Sequence, residues 1–201
     1  MKRRHLLLPL VATLALSLAA CSKEESTAAP GSGGGAADKS PIATAQAYDV
    51  LAAQGKGFSA GALMSAHTVY VLFDPQCPHC GHLWQSSIPL QSKVKFVWLP
   101  VAIMNAKSAP QGAAIMTSAN PVETMTAHEQ LLLGGQGGMS ASASIPPEVL
   151  AAIKTNTDLL ERLGATSVPF MVAKHQRSGA VVTQGGALGV EALANFLGMG
   201  Q

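Results

Sequence analysis

Cysteine and charge are both scarce in this chain. It has 201 residues and three cysteines, and two of those, Cys77 and Cys80, stand only three positions apart. No spaced pair is left to staple the fold, so the close pair reads as chemistry rather than architecture. Charged residues make up 12% of the sequence. No long run of one sign occurs and no aromatic–basic interleaving, which excludes nucleic acid as a partner class. There is no internal repeat. The one long apolar run, at 6–18, is too short for a confident membrane span.

That run instead completes a signal. Lys2, Arg3 and Arg4 form its positive n-region, and 6–18 has the length of an h-region. Leu18-Ala19-Ala20-Cys21 resembles a bacterial lipobox, which implies cleavage before Cys21 and lipidation of its thiol. The alternative is ordinary cleavage after Ala20 with Cys21 left free. Ser22 after the cysteine, rather than Asp, points to the outer membrane. Removing the signal leaves ten basic against eleven acidic residues, a net charge near −1. No electrostatic attraction to a polyanion survives.

Residues 21–41 read as the lipidated cysteine and a flexible tether. The segment is rich in Ala, Gly, Ser and Pro around Gly33-Gly34-Gly35 and has too little apolar surface to order itself. A coil of about 20 residues reaches roughly 25 Å on average. Residues 42–201 form the folded domain. Spacing predicts a helix at 42–54, with Ile42, Ala45, Tyr48 (or Asp49) and Ala52 three or four apart and Gly55 and Gly57 ending it. Residues 68–73 are β-branched and apolar and predict a buried strand, which Asp74-Pro75 stops. A helix follows through 81–90, kinked or ended by Pro89, and then a strand at 94–101. Helices are predicted at 113–119, 121–133 and 147–163, with Pro121 and Pro147 in first turns. Strands at 170–173 and 180–183 form a hairpin, and 190–197 is a closing helix. This order gives an α/β fold with a helical insert at about 105–163.

The chemistry centres on Cys77-Pro78-His79-Cys80. Disulfide exchange needs one thiolate to attack and a second thiol to resolve the mixed disulfide. At a strand-to-helix junction Cys77 sits on the helix N-terminus, where unpaired amides and the helix dipole favour an anion. Cys80, three residues on, lies on the same face. Cys77 is therefore the nucleophile and Cys80 the resolving thiol. Pro78 fits the first helical position, and His79 can lend a hydrogen bond or charge to the Cys77 sulfur. Asp74 reads as a turn residue before Pro75 rather than a proton-transfer group near Cys80, His82 as a surface residue and Trp84 as core. The methionines, Met104, Met116 and Met125 among them, read as soft core filler.

The segment Phe73-Asp-Pro-Gln-Cys-Pro-His-Cys-Gly-His-Leu-Trp84 resembles the active-site segment of the Dsb thiol–disulfide interchange proteins. Its Cys-Pro-His-Cys tetrad is DsbA-like, and the surrounding Asp-Pro-x-Cys-Pro-x-Cys is similar to the DsbC/DsbG isomerase branch. Gly164-Ala-Thr-Ser-Val-Pro-Phe170 resembles the family's cis-proline segment. The resemblance implies a thioredoxin fold, a cis Pro169 facing the dithiol, and Val168 beside it pairing with an extended substrate strand. It implies a periplasmic oxidoreductase without a cofactor, acting on exported protein thiols and disulfides and recycled by an inner-membrane redox partner. Oxidase, reductase and isomerase directions stay open. DsbC and DsbG carry an N-terminal dimerisation domain, and 42–67 is too short to be one.

Other chemistries compete for the same residues. Haem attachment needs Cys-x-x-Cys-His, and position 81 is Gly. Cys77, His79, Cys80 and His82 offer four zinc donors, but closed zinc sites combine two spaced ligand pairs. A non-enzymatic metal chaperone and a module gripping unfolded clients at Pro169 are the remaining alternatives.

Overall fold

A computed structural model describes residues 39–200. The signal, Cys21 and most of the tether lie outside the described residues. Among the described residues the first elements are helix α1 (Thr44–Gln54), strand β1 (Phe58–Gly61) and strand β2 (Thr68–Phe73). Helix α2 (Pro78–Ser87) runs into a 3-10 turn at Ile88–Leu90, followed by strand β3 (Lys95–Pro100). The inserted block holds α3 (Ser108–Thr117), α4 (Pro121–Leu131), a π turn at Leu132–Gln136, and α5 (Pro147–Arg162). Strands β4 (Phe170–Lys174) and β5 (Val181–Gly185) and helix α6 (Val190–Phe196) close the domain.

The five strands lie in the order β1-β3-β2-β4-β5. The β2–β3 pair is parallel, and β4 pairs antiparallel with both β2 and β5. Sequence reasoning missed β1, an antiparallel edge strand on β3. Its four residues, Phe58–Gly61, are too few to show alternation. Pro89 ends α2 as expected, for it falls in the 3-10 turn. The inner face of α1 is Ala47 and Leu51 rather than Ala45 and Ala52, which are exposed. Helix α3 starts five residues before the expected 113, because Ser108 and Pro110 serve its first turn.

The first half of β2 alternates, and its last three residues, Val71, Leu72 and Phe73, are all buried. Strands buried on both sides carry such continuous apolar runs. Phe73 meets Trp98 of β3 edge to face at 5.5 Å between ring centres, and Trp84 of α2 meets Trp98 at 5.1 Å. This aromatic cluster lies under the first turns of α2 and fixes that helix against the sheet. Asn156 of α5 is fully buried and donates to the Pro100 carbonyl at 2.9 Å and the Lys56 carbonyl at 2.7 Å. The insert is thereby tied to the sheet.

Candidate active site

The loop between β2 and α2 is built around Asp74, which is fully buried. Its Oδ1 accepts from the Gln76 amide at 2.8 Å, making the local turn. Its Oδ2 accepts from the amides of Ile103 and Met104 at 2.8 and 3.0 Å. One carboxylate thus satisfies three backbone donors and pins the loop after β3 to the loop before the dithiol. Met104 is 52% exposed, so the expectation of core filler fails there. Its backbone is what the fold uses. Met125 is fully buried, as expected of filler.

Cys77 caps α2 and Pro78 takes its first position. The Cys77 amide donates to the Asp74 carbonyl at 2.9 Å, and the Cys77 carbonyl accepts from Cys80 at 2.9 Å. Pro78 and His79 are exposed, and His82 is exposed one turn on. Cys77 retains 4% of its accessible surface and Cys80 none. Cys77 is less open than the sequence implied, but it is the more accessible of the two thiols.

The Val168–Pro169 peptide bond is cis. It enters β4 beside the dithiol, and the Cys77 thiol donates to the Val168 carbonyl oxygen at 3.5 Å. Cys77, Pro78, His79, Cys80, Val168 and Pro169 are therefore brought together. Cys21 lies outside the described residues. The cysteines turn inward while His79 and His82 are exposed, so these four side chains do not converge on one point. Among the described residues no group of three or more His, Cys, Asp or Glu is placed to hold a metal ion.

The two thiols differ sharply in acidity. A hydrogen bond from the Cys80 thiol, aided by the amides of Cys80 and His79 and by the His79 ring, lowers Cys77 to about 6 against the upward push of burial. Burial, followed by the bond to Cys77 and the Cys77 charge, pushes Cys80 well above the ordinary thiol range. One sulfur is held as thiolate near neutral pH and the other as thiol.

Sequence reasoning missed a supporting shell from the insert. Gln76 donates to Gln111 Oε1 at 2.6 Å and to the Gly137 carbonyl at 2.9 Å. Gln111 donates to the carbonyls of Gly137 and Met139 at 3.0 and 2.8 Å. His128 and Glu129 of α4 are buried directly behind the dithiol loop. A signal for them was present. Met125, His128, Glu129 and Leu132 fall at helical spacing on one buried stripe, and two titratable residues on an apolar stripe call for a reason.

No protein-family model matches the chain. It is 30% identical over 132 residues to the thiol:disulfide interchange protein DsbG of Pseudomonas aeruginosa, a match covering 65% of this chain and 50% of that protein. The chain thus spans about half the length of this curated relative. Among solved structures, Proteus mirabilis ScsC in a transitional conformation superposes with a TM-score of 0.61 at 16% identity, covering 79% of this chain and 80% of that one. A periplasmic thioredoxin-like protein from Salmonella enterica serovar Typhimurium gives a TM-score of 0.56 at 15% identity, covering 69% and 86%. These two likenesses show the thioredoxin fold. The chain is thus similar to the Dsb thiol:disulfide interchange proteins over part of their length. Within that frame the insert at 105–163 is the helical block carried between β3 and β4.

Proposed function

We propose that the protein is a periplasmic thiol–disulfide oxidoreductase that exchanges disulfides with exported proteins through Cys77 and Cys80. The observation that carries this reading is the pairing of a thiol held near 6 with a fully buried partner thiol across the first turn of α2. In the reducing direction the Cys77 thiolate attacks a client disulfide, forming a mixed disulfide and releasing a client thiolate. Cys80 then attacks Cys77, leaving the Cys77–Cys80 disulfide and the second client thiol. In the oxidising direction the same steps run backwards. Pro78 starts the helix, His79 contributes charge, and Val168 and Pro169 line the place where a client strand lies.

The Val168 carbonyl has a double use in this scheme. It accepts from Cys77 only while Cys77 carries its proton. Ionisation of Cys77 frees that oxygen to accept from the amide of an extended client segment. Ile103 and Met104, 46% and 52% exposed and held by Asp74, offer apolar contact to unfolded clients alongside. Attachment through a lipidated Cys21, with the outer membrane as its site, and recycling by an inner-membrane redox partner complete the proposal.

Trapping in the source cell tests it. A Cys80→Ala chain should accumulate mixed disulfides with exported proteins on Cys77, and a Cys77→Ala/Cys80→Ala chain should accumulate none. Absence of any adduct on the single variant would count against exchange. Equilibration with glutathione then reads the direction, since a potential near that of thioredoxin, about −270 mV, rules out a strong oxidant.

A further inference from the structure

One acidic group behind the dithiol has no part in the scheme above. Glu129 lies on α4 and is 1% exposed. Neither of its carboxyl oxygens has a hydrogen-bond partner among the described residues. The carboxyl rests on Gly81, the residue after Cys80, so closely that a β-carbon there would collide with Glu129 Oε2. A buried carboxyl with no partner is costly as an anion and so tends to keep a proton or share one with a neighbour.

The candidates for sharing are few. The elements packed most closely on α4 are α2, α3, β1 and the π turn. Helix α3, β1 and the π turn carry no titratable side chain. Helix α2 and its cap present Cys80 and Cys77 inward, with His79 and His82 exposed. On α4 itself, His128 is bonded to Pro75 and Met139, and Glu123 is exposed in the first turn. In the loop before α2, Asp74 is buried but its carboxylate is taken up by the amides of Gln76, Ile103 and Met104. The two thiols are the remaining titratable neighbours.

We propose that Glu129 takes the Cys80 proton in the resolving step. This rests on the exchange reading above. With Cys77 joined to a client sulfur, the Cys80 sulfur bonds to the Cys77 sulfur and the Cys77–client S–S bond breaks. The client leaves as a thiolate with the electron pair, and the Cys80 proton passes to the Glu129 carboxylate through one water, since no thiol lies within hydrogen-bond distance of that carboxyl. In the reverse direction Glu129 returns that proton to Cys80. The electrostatics suit the timing. Burial, and after it the Cys77 charge, pushes Glu129 up to about 8. Once Cys77 is tied in a mixed disulfide its charge is gone, and Glu129 ionises more readily when a base is needed. An ionised Glu129 adds to the upward push on Cys80, so the two groups compete for one proton.

The test follows oxidation of the reduced, full-length protein by glutathione disulfide with stopped-flow tryptophan fluorescence. At saturating glutathione disulfide the limiting rate is the attack of Cys80 on Cys77. Glu129→Gln should lower that rate at least about tenfold near neutral pH, in line with the usual worth of a positioned proton acceptor. It should also shift the rise of rate with pH to more alkaline values, and Glu129→Asp should restore part of the loss. Alkylation of Cys77 by iodoacetamide should change little. A limiting rate and pH profile that match the unsubstituted protein overturn the inference while leaving exchange intact. No exchange by the unsubstituted protein overturns the exchange reading itself. Should Glu129→Gln fail to fold, carbon-13 NMR of the Glu129 carboxyl decides. Its titration should lie lower in a Cys80→Ala chain carrying glutathione on Cys77 than in the same chain reduced, and identical titrations overturn the inference.

Discussion

His128 joins the inserted helices to the loop that carries the dithiol. Its Nδ1 accepts from the Met139 amide at 3.2 Å, so the proton is on Nε2, which donates to the Pro75 carbonyl at 2.7 Å. Both nitrogens are used only by the neutral ring.

Acid should therefore loosen this joint. Burial lowers His128 from its ordinary value of 6.5, so the unfolded chain binds more protons than the folded one below that value. Stability is retained above about 6.5 and falls as pH drops toward the depressed value. Urea unfolding at pH 7.5, 6.5 and 5.5 should show this loss, and His128→Gln should show a smaller one. His128→Ala should cost about 1–3 kcal/mol at neutral pH by leaving the Pro75 carbonyl and Met139 amide without partners.

Glu129, the next residue, should act with the opposite sign. Its carboxyl is raised from 4.5 to about 8, so the folded state holds a proton that the unfolded chain releases. Stability is then lost as pH rises from about 4.5 to about 8. Glu129→Gln should be as stable as the parent in acid and more stable at pH 8. Equal urea midpoints at pH 8 would refute this.

Cys77 should titrate near 6 when followed by thiolate absorbance in the reduced protein. The first cause of that depression is the hydrogen bond from Cys80, so Cys80→Ala should raise the midpoint. Replacing His79 removes a smaller contribution and should raise it less. An unshifted midpoint in Cys80→Ala would show that the helix terminus alone sets the acidity.

Asp74→Ala should be among the most damaging substitutions outside the cysteines. It strands the amides of Gln76, Ile103 and Met104, at a cost of roughly 2–4 kcal/mol. Asp74→Asn keeps one acceptor for Ile103 and Met104 but turns an NH2 group toward the Gln76 amide, so it should recover only part. Denaturant titration of both variants checks the order.

The sequence disclosed the centre of this site and not its back wall. The β-branched run at 68–73, the stop at Asp74-Pro75 and the Cys-Pro-His-Cys tetrad are local signals, readable without any partner. Val168 and Pro169 were legible through resemblance, because their place beside Cys77 depends on a chain return some ninety residues later. Asp74 was read as a turn residue, which it is, but its bonds to Ile103 and Met104 arise from the pairing of β2 with β3. Gln76, Gln111 and His128 acquire roles only when the insert folds back. Strand β1 was invisible because an edge strand of four residues draws its stability from its neighbour, not from its own pattern.

The collision that Gly81 avoids has a bearing on how such a protein can change. A methyl group at that position would favour the helix by about 1 kcal/mol yet would have to displace the Glu129 carboxyl. Helix and insert are thus constrained as one unit. A lineage could retune its working pH by substitutions on α4 alone, keeping Cys77-Pro78-His79-Cys80 intact. A chain trimmed of residues 105–163 to make a minimal domain would lose the bases of its pH response along with the insert.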